Sequence, residues 1–167
     1  VTAFVVKYRL PQDELFENKQ IRPLQDAQQA FRIVRAESKK YGLDPDKVGI
    51  MGFSAGGHLA ATASTKFTSQ VGEIVDEAIS VRPDFSILIY PVISFNDKFG
   101  HSGSRNNLIG PELKIDEIDF YSNELHVSKN TPPAFLVHAF DDHVKIENSF
   151  SYAQALKKNG GAVEFHA

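Results

Sequence analysis

The sequence predicts an α/β fold of three layers, with helices on both sides of a mainly parallel sheet. Three observations carry this reading. Apolar runs at residues 2–8, 48–51, 85–90 and 134–139 are unbroken, as in strands buried on both faces. Helical patterns alternate with them along the chain. The chain has 167 residues and 42% hydrophobic content, enough for one domain with a real core.

Each element has its own reason. Residues 2–8, Thr-Ala-Phe-Val-Val-Lys-Tyr, are β-branched and aromatic and read as a largely buried strand that Pro11 ends. A polar loop over 11–22 leads to Pro23, suited to the first turn of a helix. Leu24, Ala27, Phe31, Val34, Ser38 and Tyr41 then mark one helix face, closed by Gly42. Arg32, Arg35, Glu37, Lys39 and Lys40 fall elsewhere and read as a solvated face. Strand, helix and the next strand would make one right-handed parallel βαβ unit. A small-residue helix follows the second strand, then a loop to about 83 and the strand at 85–90. Residues 93–131 carry no strong strand signal and read as a long, lid-like insert with a short helix between Asp116 and Leu125. After the strand at 134–139, Ile146, Phe150, Ala153 and Leu156 predict a helix ending at Gly160-Gly161, and 162–167 begin a last strand.

The stretch that carries chemistry is Gly52-Phe53-Ser54-Ala55-Gly56, between the second strand and the small-residue helix. A G-x-S-x-G run in a strand–turn–helix setting is a nucleophile elbow. The turn forces a strained backbone on Ser54 and lifts its hydroxyl clear of the sheet edge. Gly52 and Gly56 are expected where a Cβ would crowd the neighbouring strand or helix. The Ala55 amide, at the first turn of the helix, points where an oxyanion would form.

On these residues, and on the Gly-Gly-His-Leu-Ala run at 56–60, the chain resembles an α/β-hydrolase-fold serine esterase of the acetyl esterase and acetylxylan or feruloyl-type carbohydrate esterase branch. In that fold the chain order is Ser, then Asp or Glu, then His. The acid therefore belongs just after the strand at 134–139, where Asp141 and Asp142 stand. The family's spacing from the strand-end histidine assigns it to Asp142, leaving Asp141 as the alternative and a natural helix cap. His143 adjoins the acid too closely to be its partner, and His166 reads as a half-buried sheet residue. By resemblance His58 is structural, and His138 reads as a satisfied strand-end histidine. His101 lines the pocket or is exposed. The resemblance implies that the catalytic histidine lies beyond Ala167 and that a His-Gly-Gly loop completing the oxyanion hole precedes Val1. The chain is then an internal piece, inactive alone, with open strand edges that invite association with the rest of its own protein or with a second copy.

The activity so implied is hydrolysis of small acyl esters, acetyl-type, on sugars or xylan fragments through an acyl-enzyme, with no metal or organic cofactor. A serine peptidase of the same fold and a non-catalytic binding relative are the alternatives. Charge is nearly balanced, 18 Lys+Arg against 21 Asp+Glu, which argues against nucleic acid or an anionic membrane as partner. There is no cysteine and no stretch of membrane-spanning length, and the compartment stays open.

Overall fold

The computed structural model describes residues 1–11, 18–72, 78–112 and 114–167, so the loop readings at 12–17 and 73–77 lie outside the described residues. Four strands, β1 (Ile50–Phe53), β2 (Ser86–Ile89), β3 (Ala134–Val137) and β4 (Val163–His166), form one sheet in the order β1-β2-β3-β4. All three pairings are parallel, with Ile50 opposite Ser86, Ser86 opposite Ala134 and Ala134 opposite Val163. Their carboxyl ends therefore emerge along one edge.

The helices are α1 (Arg22–Ala36), α2 (Ser54–Thr65), α3 (Ser102–Ile109), α4 (Ile115–Tyr121) and α5 (Glu147–Lys158). Pro23 sits in the first turn of α1, where its missing N–H costs no helical hydrogen bond, and Leu24, Ala27 and Phe31 are buried as their spacing predicts. The helix stops at Ala36, short of Tyr41, and the chain reaches Gly42 through turns, with Gly42 at φ +64°. Arg32 and Arg35 are not solvated. Arg32 is 5% exposed and donates to Gln70 Oε1 at 2.8 Å; Arg35 donates to the Arg82 carbonyl at 2.7 Å and pairs with Asp84 at 3.1 Å. Their guanidinium groups reach acceptors in loops, which helical periodicity cannot reveal.

The largest departure is at residues 2–8, which form no strand and join no ladder. Val5 is fully exposed, Phe4 leans edge-on against Tyr41 at 5.7 Å, and Arg9 anchors the segment to Asp26 of α1 at 2.8 Å. An apolar run becomes a strand only where a neighbour offers backbone partners at ladder spacing, and none does so here among the described residues. The expected βαβ unit through this segment is therefore not formed.

α2 and α5 pack on the same face of the sheet, where Ala60 and Ala61 meet Leu88, Leu136, Tyr152 and Leu156 in a closed core, with α1 against α2. On the opposite face Met51 and Phe53 are half exposed, and Ile87, Ile89, Phe135 and Val137 are partly so. The insert at 93–131 is more ordered than its composition suggests. It holds α3, α4 and a 3₁₀ turn at Asn123–His126, and a small core joins its Phe95 and Tyr121 to Val92 and Val144 outside it. No described helix is long and apolar enough to cross a membrane.

Candidate active site

β1 ends at Phe53 and α2 begins at Ser54, which sits at φ +50°, in left-handed backbone rare for any residue with a side chain. The turn is as sharp as it is because two glycines let backbone meet backbone. A Cβ on Gly52 would overlap the Gly56 carbonyl, and one on Gly57 would lie 2.7 Å from Pro91 Cβ. Gly56 is different from expectation: a Cβ there meets nothing nearer than the Tyr8 hydroxyl at 4.0 Å. The second close approach therefore belongs to Gly57, because α2 there leans on the proline that follows β2 as well as on β1.

The Ser54 carbonyl accepts from Val92 N–H at 3.1 Å, which ties the turn to the chain leaving β2. Ser54 itself is partly exposed and Ala55 is exposed. As the second residue of α2, Ala55 has an N–H with no partner in its own helix, aimed outward at the positive end of the helix dipole.

The acid loop leaves β3 two strands away. At about 4.8 Å per strand this sets the loops after β1 and β3 about 10 Å apart, room for an imidazole between a hydroxyl and a carboxylate. Asp142 is partly buried; its N–H donates to the Ala139 carbonyl at 3.3 Å, and its Oδ1 accepts from Val144 N–H at 2.8 Å. Asp141 is exposed. Among the described residues, no hydrogen bond joins Ser54 or Asp142 to a histidine.

The histidines have other partners. His58, 5% exposed, donates from Nε2 to the Tyr121 carbonyl at 2.8 Å and stacks on Phe95 with ring centres 4.5 Å apart. Burial pushes its pKa down to about 4, against the pull of that carbonyl, and Lys66 nearby lowers it further. His101 caps α3, accepting at Nδ1 from Ser104 N–H at 3.1 Å, a role sequence reading did not assign. His143 is exposed, and His166 is exposed rather than half-buried, because it lies on the uncovered sheet face, 2.7 Å from Glu164 Oε1. Among the described residues no group of three His, Asp or Glu side chains could hold a metal ion.

Beside Ala55 is a cavity of about 140 Å³, walled by Tyr8, Leu24, Leu59, Phe95, Leu108 and Tyr121. Its far wall comes from α3 and α4 of the insert, which side-chain amides lock to the rest. Asn123 donates to Thr62 Oγ1 at 3.1 Å and accepts from Thr65 at 3.1 Å. Asn148 of α5 accepts from Ile93 and Ser94 N–H at 2.9 and 3.0 Å and donates to the Phe99 carbonyl at 2.8 Å. A second strained corner was not legible in the sequence. Tyr90 sits at φ +36° with its N–H on the Val137 carbonyl at 2.7 Å, although a residue before proline normally prefers extended backbone.

Residues 2–156, nearly the whole chain, match BD-FAE. The chain belongs to the BD-FAE family. The chain is similar to an acetylxylan esterase of Xylanibacter ruminicola, 39% identical over 96% of this chain and 31% of that protein. It is also similar to endo-1,4-beta-xylanase B of Butyrivibrio fibrisolvens, 38% identical over 81% of this chain and 22% of that protein. A crystal structure of an acetyl ester-xyloside bifunctional hydrolase from Caldicellulosiruptor lactoaceticus superposes with a TM-score of 0.84 at 42% identity, covering 96% of this chain and 58% of that one. The fold is that of the α/β-hydrolase esterases. The chain thus spans less than a third of the curated relatives it matches and somewhat over half of the solved one.

Proposed function

We propose that the protein is a serine ester hydrolase that removes small acyl groups, acetyl-type, from sugars or xylan fragments. The observation that carries this reading is Ser54 at φ +50° on the strand–helix turn, beside the unpartnered Ala55 N–H and on the same sheet edge as Asp142. Ser54 Oγ attacks the ester carbonyl while an imidazole takes its proton, and Asp142 orients that imidazole. The Ala55 N–H and the N-terminus of α2 stabilise the oxyanion. The alcohol leaves with the proton, and water, activated by the same imidazole, releases the acid from the acyl-enzyme.

The imidazole and the remaining oxyanion donors come from residues outside 1–167, so this stretch alone turns over poorly. The insert at 93–131 acts as the lid that shapes the substrate pocket. Association with the rest of its own protein, or with a second copy, is supported by Met51 at 54% and Phe53 at 50% exposure on the open sheet face. The names of the acetylxylan esterase and of the acetyl ester-xyloside hydrolase support the substrate class.

The test is hydrolysis of p-nitrophenyl acetate and of acetylated xylo-oligosaccharides by the full-length protein. Ser54→Ala should abolish both and Asp142→Asn should lower kcat by about 10⁴, as loss of the orienting carboxylate does elsewhere. Activity retained in Ser54→Ala refutes the mechanism, and peptide hydrolysis without ester hydrolysis refutes the substrate class.

A further inference from the structure

A single residue, Val144, links the Asp142 carboxylate to His138. The Val144 N–H donates to Asp142 Oδ1 at 2.8 Å, and the Val144 carbonyl lies 2.7 Å from His138 Nε2. A carbonyl only accepts, so the His138 ring proton is on Nε2. That leaves Nδ1 to accept from the Ser149 hydroxyl, 2.8 Å away. His138 is 1% exposed and Ser149 0%, so neither has water as a substitute partner. His138 directly follows β3 and its N–H is held by the His166 carbonyl at 3.0 Å, while Ser149 lies in the first turn of α5. Two rigid elements thus converge, through one imidazole, on the residue whose N–H grips the carboxylate.

We propose that His138 is a positioning residue for Asp142, acting through Val144, whose carbonyl sets the ring's tautomer, and held at Nδ1 by the Ser149 hydroxyl. The inference rests on Asp142 being the acid. With Oδ1 committed to its own loop, Oδ2 is presented to the partner imidazole. A strand-end histidine that merely filled space would need neither a defined tautomer nor a bond to the one residue that grips the carboxylate.

The experiment uses the full-length protein and two readouts. The first is hydrogen exchange at the Val144 amide, which needs no turnover. The second is the pH dependence of kcat/KM on p-nitrophenyl acetate. In His138→Leu the Val144 amide should exchange at least about tenfold faster, since Val144 loses the anchor on its carbonyl. Its kcat should fall about 10–100-fold at unchanged KM, the scale of a small misplacement of a catalytic group. The acid limb of the profile should move to lower pH, because the base loses part of the negative charge that favours its protonated form. His138→Gln, which can return an N–H toward Val144, should restore all three to within about threefold. Ser149→Ala should move each in the same direction as His138→Leu, by less, and it decides the matter if His138→Leu does not fold. Unchanged Val144 exchange in a folded His138→Leu or in Ser149→Ala overturns the proposal. So does faster exchange with an unmoved acid limb. A wild type that is inactive, or active without Ser54, refutes the esterase reading instead, and Val144 exchange then decides the clamp by itself.

Discussion

The packing of α2 against the segment after β2 can be tested with two adjacent glycines. Gly56 and Gly57 both lie inside α2 and neither has a positive φ, so alanine at either position gains the same helix propensity, about 0.5–1 kcal/mol. Their surroundings differ. At Gly56 the new methyl meets nothing within 4 Å except the Tyr8 hydroxyl at that limit. At Gly57 it would stand 2.7 Å from Pro91 Cβ and 2.9 Å from Pro91 Cα. Carbon atoms pack at about 3.5–4.0 Å, so roughly 1 Å must be found. Pro91 cannot yield easily, being a ring fixed between the left-handed Tyr90 and Val92, whose N–H is bonded to the Ser54 carbonyl. Overpacking of this kind costs about 1–3 kcal/mol. Because propensity cancels between the two variants, Gly57→Ala should be less stable than Gly56→Ala by that amount. With a urea m-value of about 1–3 kcal/mol/M, their unfolding midpoints should differ by about 1 M. Urea titrations followed by circular dichroism read this directly. Equal midpoints, or a higher one for Gly57→Ala, would refute the packing argument.

Two further outcomes follow from buried polar groups. The folded pKa of His58, about 4, lies below its ordinary 6.5, so the unfolded chain binds the proton more readily and acid favours unfolding. His58 should contribute on the order of 3 kcal/mol above pH 6.5, lost as pH falls from there through 4. His58→Gln should flatten that slope in urea midpoints taken at pH 7 and pH 5; an unchanged slope rules the effect out. Asn148→Ala strips partners from the Ile93 and Ser94 N–H groups and the Phe99 carbonyl, and should cost at least about 3 kcal/mol. A loss below about 1 kcal/mol in calorimetry would show that water replaces the amide.

What the sequence determines by itself is what depends on neighbours in the chain. The turn at Ser54 was readable because glycine spacing, an apolar run before it and small residues after it are all local. The strands at β2 and β3 were readable because such apolar runs, bounded by turn residues, favour a sheet wherever they sit, although among the described residues helices cover only one of its faces. The position of Asp142 at the carboxyl edge followed from its distance past such a run. What only tertiary structure decides is whether a partner is present. Residues 2–8 have the composition of a strand yet pair with nothing described, since a ladder is a property of two segments. Gly57 rather than Gly56 is the tight glycine because Pro91 arrives there from another loop. Arg32 and Arg35 leave solvent for acceptors in the segment before β2, and α3 forms inside an insert with no periodic signal because His101 caps it. The link from Ser149 through His138 and Val144 to Asp142 joins a helix, a strand end and a loop. No pattern along the chain encodes it, because hydrogen bonds between elements are set by where the folded backbone brings them together.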